Sequence, residues 1–408
     1  MRRSSSCVVF EVGLAAAEPL PEEWAEGPLP ALLADGTAAD RERRLTYFEP
    51  RVGTSLFGDP GRPARWHLRR PPDADEPAVE AVELLRLPAA AGLDDRRAAL
   101  AVLHVRLGDD PVAELAELAA LPTDHARLAK ILPSGVEAAA GTARAWTLAH
   151  VTFEQGRPPP VMPTAYASWS TRDQWLWLLA SRSPLEHFAP DPEDTALFAG
   201  RVRFSADWQA LVLRDGAAFV GTSPDPGGEE TFHATAAHHV HTIYLDVFLL
   251  ARLQYLGANA LANAVSALTA RESDASRLVR LEGRLTDLRR ALWSSHITSQ
   301  GKGNELLERF QEQLCLDQLL SHTAVGLADT ARHVEAARSR RISVALGLLS
   351  SVGLPFGVAY AAGALWGSGP WTLLVTTAVA VLVTVVLFVL LPPLRGLWSN
   401  TMWDRTED

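Results

Sequence analysis

ISVALGLLSSVGLPFGVAYAAGALWGSGPWTLLVTTAVAVLVTVVLFVLLPPL, residues 342–394, is a run of 53 positions without Asp, Glu, Lys, Arg or His. About 20 apolar residues suffice to cross a bilayer, so the run is long enough for two crossings. Trp366-Gly367-Ser368-Gly369-Pro370-Trp371 divides it with turn formers between tryptophans, a pattern suited to a membrane–water interface. The predicted spans are Ser343–Leu365 and Trp371–Leu391, with residues 366–370 as an external loop. Arg332, Arg338, Arg340 and Arg341 precede the first span, and Arg395 and Arg405 follow the second. Positive flanks stay inside, which predicts a multi-pass protein of the cell (inner or plasma) membrane with both termini cytoplasmic. The competing reading is a buried apolar hairpin in a soluble protein, but such a hairpin normally carries charge on an outer face.

Outside this stretch the chain is ordinary in composition. Its 408 residues carry a formal net charge of −10, which disfavours a nucleic-acid partner. Cys7 and Cys315 are the only cysteines, and their separation suggests neither a disulfide framework nor a CxxC metal site. Arg2 and Arg3 resemble the start of a signal peptide, but Glu11 interrupts the apolar run that follows, so Cys7–Leu14 reads as a first strand.

Strand candidates follow at Leu45–Glu49, Arg65–Leu68, Ala81–Leu87, Ala98–Leu107 and Ala145–Phe153. Asp110 and Pro111 open a helix over Val112–Leu121. Trp169, Trp175 and Trp177 cluster around a helix at Asp173–Ala180, as core packing or as a stacking platform for a ligand. Asp215-Gly216 between Gln209–Leu213 and Ala217–Gly221 signals a hairpin. From Thr231 onward only helices are expected: Thr231–Leu268, Glu272–His296, and a third capped by Asn304 that runs into the membrane. On it Leu316, Leu320, Thr323, Leu327, Thr330 and Val334 fall at spacings of four and three, the seam of a bundle or coiled coil. The expected fold is thus an α+β cytoplasmic domain followed by long helices and a C-terminal two-helix transmembrane hairpin. Its divisions are a cytoplasmic α/β domain over 1–230, a stalk over 231–342, the hairpin, and a cytoplasmic tail over 392–408.

Leu354-Pro355-Phe356-Gly357 through Tyr360, at the end of a stalk helix that becomes a first span, resembles the CorA-type superfamily of divalent-cation channels and transporters. The family's Gly-Met-Asn hallmark is absent: Tyr360 is followed by Ala361-Ala362-Gly363. The resemblance implies metal-ion transport by a homo-oligomer, a pentamer, in the lipid bilayer. It implies a divalent cation as transported or regulatory ion, and no other cofactor is identified. Ser343, Gly347, Ser350, Leu354, Gly357 and Ala361 form one face of the first span, either pore-lining or ordinary small-residue helix packing. A second reading is a membrane-anchored sensor or effector whose cytoplasmic domain binds a ligand or partner. Among the clustered histidines, His238 and His241 are three apart and are the candidate metal ligands, against plain surface histidines. Ser299-Gln300-Gly301-Lys302-Gly303 lacks the order of a phosphate loop, and no hydrolase signature stands in context, so no enzyme is expected.

Overall fold

A computed structural model describes residues 2–15, 24–30, 38–59, 61–70, 79–88, 98–153, 158–222, 232–268, 275–294, 296–366, 369, 371 and 374–382. In chain order the elements are β1 (Arg2–Leu14), β2 (Ala25–Glu26), α1 (Ala38–Tyr47), α2 (Pro50–Phe57), β3 (Gly58–Asp59), β4 (Arg62–Pro63), β5 (Arg65–Arg69), β6 (Val79–Arg86), β7 (Ala98–Arg106) and α3 (Pro111–Ala120). There follow α4 (His125–Ile131), β8 (Val136–Ala138), β9 (Trp146–Phe153), α5 (Thr171–Ser181), β10 (Arg201–Arg203), β11 (Trp208–Leu213) and β12 (Gly216–Gly221). The helices α6 (Phe232–His241), α7 (Ile243–Ser266), α8 (Ala275–Leu292), α9 (Gly301–Gln313) and α10 (Leu316–Trp366) complete the described chain.

Ten strands form one mixed sheet in the order β10-β11-β12-β9-β1-β7-β6-β5-β2, with β8 beside β1. Its pairs are antiparallel apart from β12 with β9. The central strands are apolar on both faces, as strands covered by helices on either side must be. Side-chain alternation then sorts them. Cys7, Val9, Leu100 and Val102 face α2, α6, α7 and α9, while Val8, Phe10, Leu103 and Val105 face α3, α4 and α5. The result is a three-layer arrangement with two cores on opposite faces of one sheet.

Local chemistry fixes several boundaries. Asp110 accepts from the Ala113 amide at 3.1 Å and Pro111 occupies the first turn of α3. Arg214-Asp215 makes the tight connection between β11 and β12, where Leu213 pairs with Gly216. A Cβ at Gly216 would lie 2.6 Å from the Thr147 carbonyl oxygen, so only glycine lets β12 lie this close to β9. The tryptophans belong to the core: Trp169, Trp175 and Trp177 are buried. The Trp169 indole donates to Pro192 O and that of Trp175 to Pro159 O, at 2.8 and 2.9 Å.

The structure corrects several sequence expectations. Leu45–Glu49 is no strand, because α1 runs through Tyr47 and α2 begins at Pro50. The helix predicted over Thr231–Leu268 is two helices that meet at Thr242. Asn304 is not a cap but lies inside α9, its side chain tied to the Ile297 amide and Thr298 carbonyl at 2.9 Å each. The stalk helix is also broken, because Cys315 adopts a left-handed φ of 52° between α9 and α10.

The membrane expectation is overturned. Among the described residues no helix is long and apolar enough to cross a membrane. The transmembrane hairpin, the CorA-like architecture built on it, and the multi-pass localisation with cytoplasmic termini fall with it. Residues 343–365 are helical within α10, with the side chains of many of its apolar positions outside the described residues. Ser343, Ser350, Gly357 and Ala361 are exposed and Gly347 is half-buried, as apolar Ile342, Leu346 and Leu365 are exposed along the same helix. The side chain of Leu354, residues 367, 368 and 370 of the predicted loop, most of Trp371–Leu391 and the whole 392–408 tail lie outside the described residues.

The chain divides into two compact units, residues 1–266 with 280–325, and residues 267–279 with 326–408. In the first unit Leu316, Leu320 and Thr323 of the seam are buried. In the second, Leu327 and Val334 are buried and Thr330 is half-buried.

Candidate metal centre

In the first unit, three sequence-distant residues meet where the sheet touches the junction of α6 and α7. Cys7 on β1 is paired in register with His104 on β7, so both project from the same face. His241 ends α6 and lies over them. Cys7 Sγ is 3.3 Å from His241 Nδ1 and 3.7 Å from His104 Nδ1, and the two ring nitrogens are 3.0 Å apart. Four-coordinate zinc with ordinary bond lengths places its sulfur and nitrogen ligands about 3.6 Å apart and two nitrogens about 3.3 Å apart. The triangle therefore needs only a few tenths of an ångström of adjustment to hold one ion.

The remaining nitrogens are held as metal-ligating histidines usually are. His104 Nε2 meets Glu83 Oε1 at 2.8 Å, and His241 Nε2 meets Ser5 Oγ at 2.8 Å. A proton on each Nε2 leaves both Nδ1 lone pairs aimed at the Cys7 sulfur. The strand register explains the geometry: Ser5 and Cys7 are two apart on β1, and Ala81, opposite His104, shares its face with Glu83.

A buried ionic network supports the triangle. Arg65 on β5 bonds both Glu83 and Asp246. Arg44 on α1 grips Asp246 with two bonds of 2.6 and 2.8 Å and donates to Leu29 O. Arg65, Glu83 and Asp246 are all 0% exposed and Arg44 4%, so none of these charges is shared with bulk water. Asp246 lies in the first turn of α7, just past Thr242, whose hydroxyl caps back to His238 O at 2.7 Å. The same residues thus fix the helix junction that presents His241.

Electrostatics fit the donor set. Burial, reinforced by His104, holds His241 well below the usual histidine range, so its ring is the neutral form a metal needs. Burial, reinforced by Glu83, pushes the Cys7 thiol well up, and a bound cation is what would offset that cost. Burial alone would raise Glu83, but Arg65 and the His104 hydrogen bond outweigh it and keep the carboxylate ionised.

His150 lies on β9 opposite Ser5. Its Nε2 is buried with no hydrogen-bond partner among the described residues. Burial first and His233 second push it down to about 3. Below about pH 6.5 the unfolded chain takes up a proton that the folded chain refuses, so stability should be lost as pH falls from 6.5 toward 3. The slope contributed by this residue is at most about 1.4 kcal/mol per pH unit. Denaturant unfolding at pH 6.5, 5.5 and 4.5 should show His150→Leu flattening the slope; an unchanged slope would assign the acid sensitivity elsewhere.

Of the two histidines singled out in the sequence, the structure brings His241 into the triangle and leaves His238 half-buried outside it. Cys7 and His104 went unrecognised because their partners come from other strands. A signal was nonetheless present: Glu83 and His104 interrupt the apolar strands VEAVELLR and AALAVLHVR. A polar group in a doubly covered strand requires a partner. No family model, no curated protein and no solved structure matches the chain.

Proposed function

We propose that this chain is a metal-binding protein whose Cys7, His104 and His241 hold a single late transition-metal ion in a structural or sensing role. The observation that carries the reading is the convergence of one sulfur and two lone-pair nitrogens from three elements, each histidine oriented from behind by Glu83 or Ser5. Thiolate and imidazole are the ligands of zinc and copper rather than of magnesium or calcium, which take oxygen. The ligands are 0%, 0% and 8% exposed, which favours an ion held in place over one that presents an open position to a substrate. The ion would join β1, β7 and the α6–α7 junction, so occupancy would be felt as stability of that junction. Ion conduction is not carried forward, because its premise was the membrane hairpin.

Metal titration of the Cys315→Ser chain, which lacks the exposed second thiol, should give one zinc ion per chain and a raised unfolding temperature. Cys7→Ala should lower the affinity at least about 100-fold. Equal binding by the two proteins would refute the assignment.

A further inference from the structure

We propose that the centre is built for a soft monovalent cation, cuprous copper, rather than for a divalent ion. The inference rests on the reading of Cys7, His104 and His241 as a metal centre.

The first argument is charge. The buried charges packed behind the triangle are Glu83, which bonds His104, together with Arg65, Asp246 and Arg44. Two are cations and two are anions, and they pair with each other in the buried network. A metal-bound imidazole is neutral, so with both histidines as ligands this paired network leaves the surroundings at zero net charge before the metal arrives. Cys7 thiolate with a monovalent cation keeps the sum at zero. With a divalent cation the same site holds one uncompensated positive charge out of reach of water, an expensive arrangement.

The second argument is ligand number. No fourth His, Cys, Asp or Glu joins the triangle among the described residues. Structural zinc almost always takes four ligands. The third concerns axial sulfur, the accessory ligand of cupric electron-transfer sites. Met162, the only methionine among the described residues, packs in the core on the other face of the sheet from Cys7. Thiolate and neutral imidazole without an axial ligand suit the cuprous ion, which is soft.

Cuprous copper binds most thiolates well, so affinity alone would not decide the matter; the response to a buried charge does. Arg44→Met removes one positive charge from the network, making the divalent complex neutral and the monovalent complex negative. Arg65 still pairs with Asp246 in that variant. Copper(I) affinity is measured anaerobically with bicinchoninate as competitor, and zinc affinity with a zinc-chelating dye. Both use the full chain in the Cys315→Ser background, with Arg44→Lys as control and circular dichroism as the check on folding. The expected result is a copper(I)-to-zinc affinity ratio that falls at least tenfold in Arg44→Met and holds in Arg44→Lys. X-ray absorption of the copper(I)-loaded parent protein, which needs no Arg44 variant, should show three ligands, one of them sulfur. An unchanged ratio in folded Arg44→Met, or a four-ligand copper(I) spectrum, overturns the monovalent preference and leaves the metal centre standing. Failure of the parent chain to bind either metal overturns the underlying reading itself.

Discussion

Glu83→Ala should cost the fold roughly 3–5 kcal/mol, the loss expected when one partner of a buried charge network is removed. Glu83 is where the two networks join: its carboxylate takes Arg65 on one side and the His104 ring on the other. Without it a guanidinium with no exposure to solvent keeps only Asp246, and His104 Nε2 loses its acceptor. The midpoint of urea unfolding should fall with its slope unchanged. Arg65→Met combined with Glu83→Ala should recover part of the loss, because the cost is mainly that of the orphaned charge. A loss under about 1 kcal/mol would mean that water reaches the network after all. Glu83→Gln gives a separate readout, since it retains the volume but weakens the orientation of His104. Metal affinity should drop about 10–100-fold, the usual effect of losing a group that orients a ligand.

Trp177→Ala should be comparably damaging, at roughly 3–5 kcal/mol, through a cavity rather than a charge. Trp177 is 2% exposed on α5 and touches Trp169 and Phe188, each with its ring centroid 6.2 Å away. It belongs to the core on the face of the sheet opposite the metal centre, so zinc affinity measured well below the new unfolding temperature should be unchanged. A variant that keeps its stability would revive the alternative of a ligand-stacking surface for these tryptophans. One that loses stability and zinc together would show that the two faces of the sheet are coupled.

The sheet was legible wherever a strand carries its own pattern. β7 and β9 are apolar runs with sharp ends, and the Asp-Gly turn marks the β11–β12 hairpin. Asp110-Pro111 gave the start of α3, because capping is a local interaction. Thr242 and Cys315 were not legible as breaks, since neither is Gly or Pro, the residues that signal one in a sequence. Over 342–394 the sequence shows a run without charge, but the structure describes only part of it, and among the described residues no helix is long and apolar enough to cross a membrane. The metal centre was half visible. His241 stood out in a histidine-rich stretch, whereas Cys7 and His104 are joined by strand register alone, and register depends on the whole sheet.

The central claim is that Cys7, His104 and His241 hold one ion between them. Crystals of the metal-loaded chain, measured at the absorption edge of the added metal, test it most directly. The account predicts a single anomalous peak in the first unit, bonded to Cys7 Sγ and to Nδ1 of both histidines, with Glu83 and Ser5 on their Nε2 atoms. A map with no peak there, in which His241 Nδ1 donates to His104 Nδ1 across 3.0 Å, would contradict it and make the triangle a hydrogen-bonded part of the core.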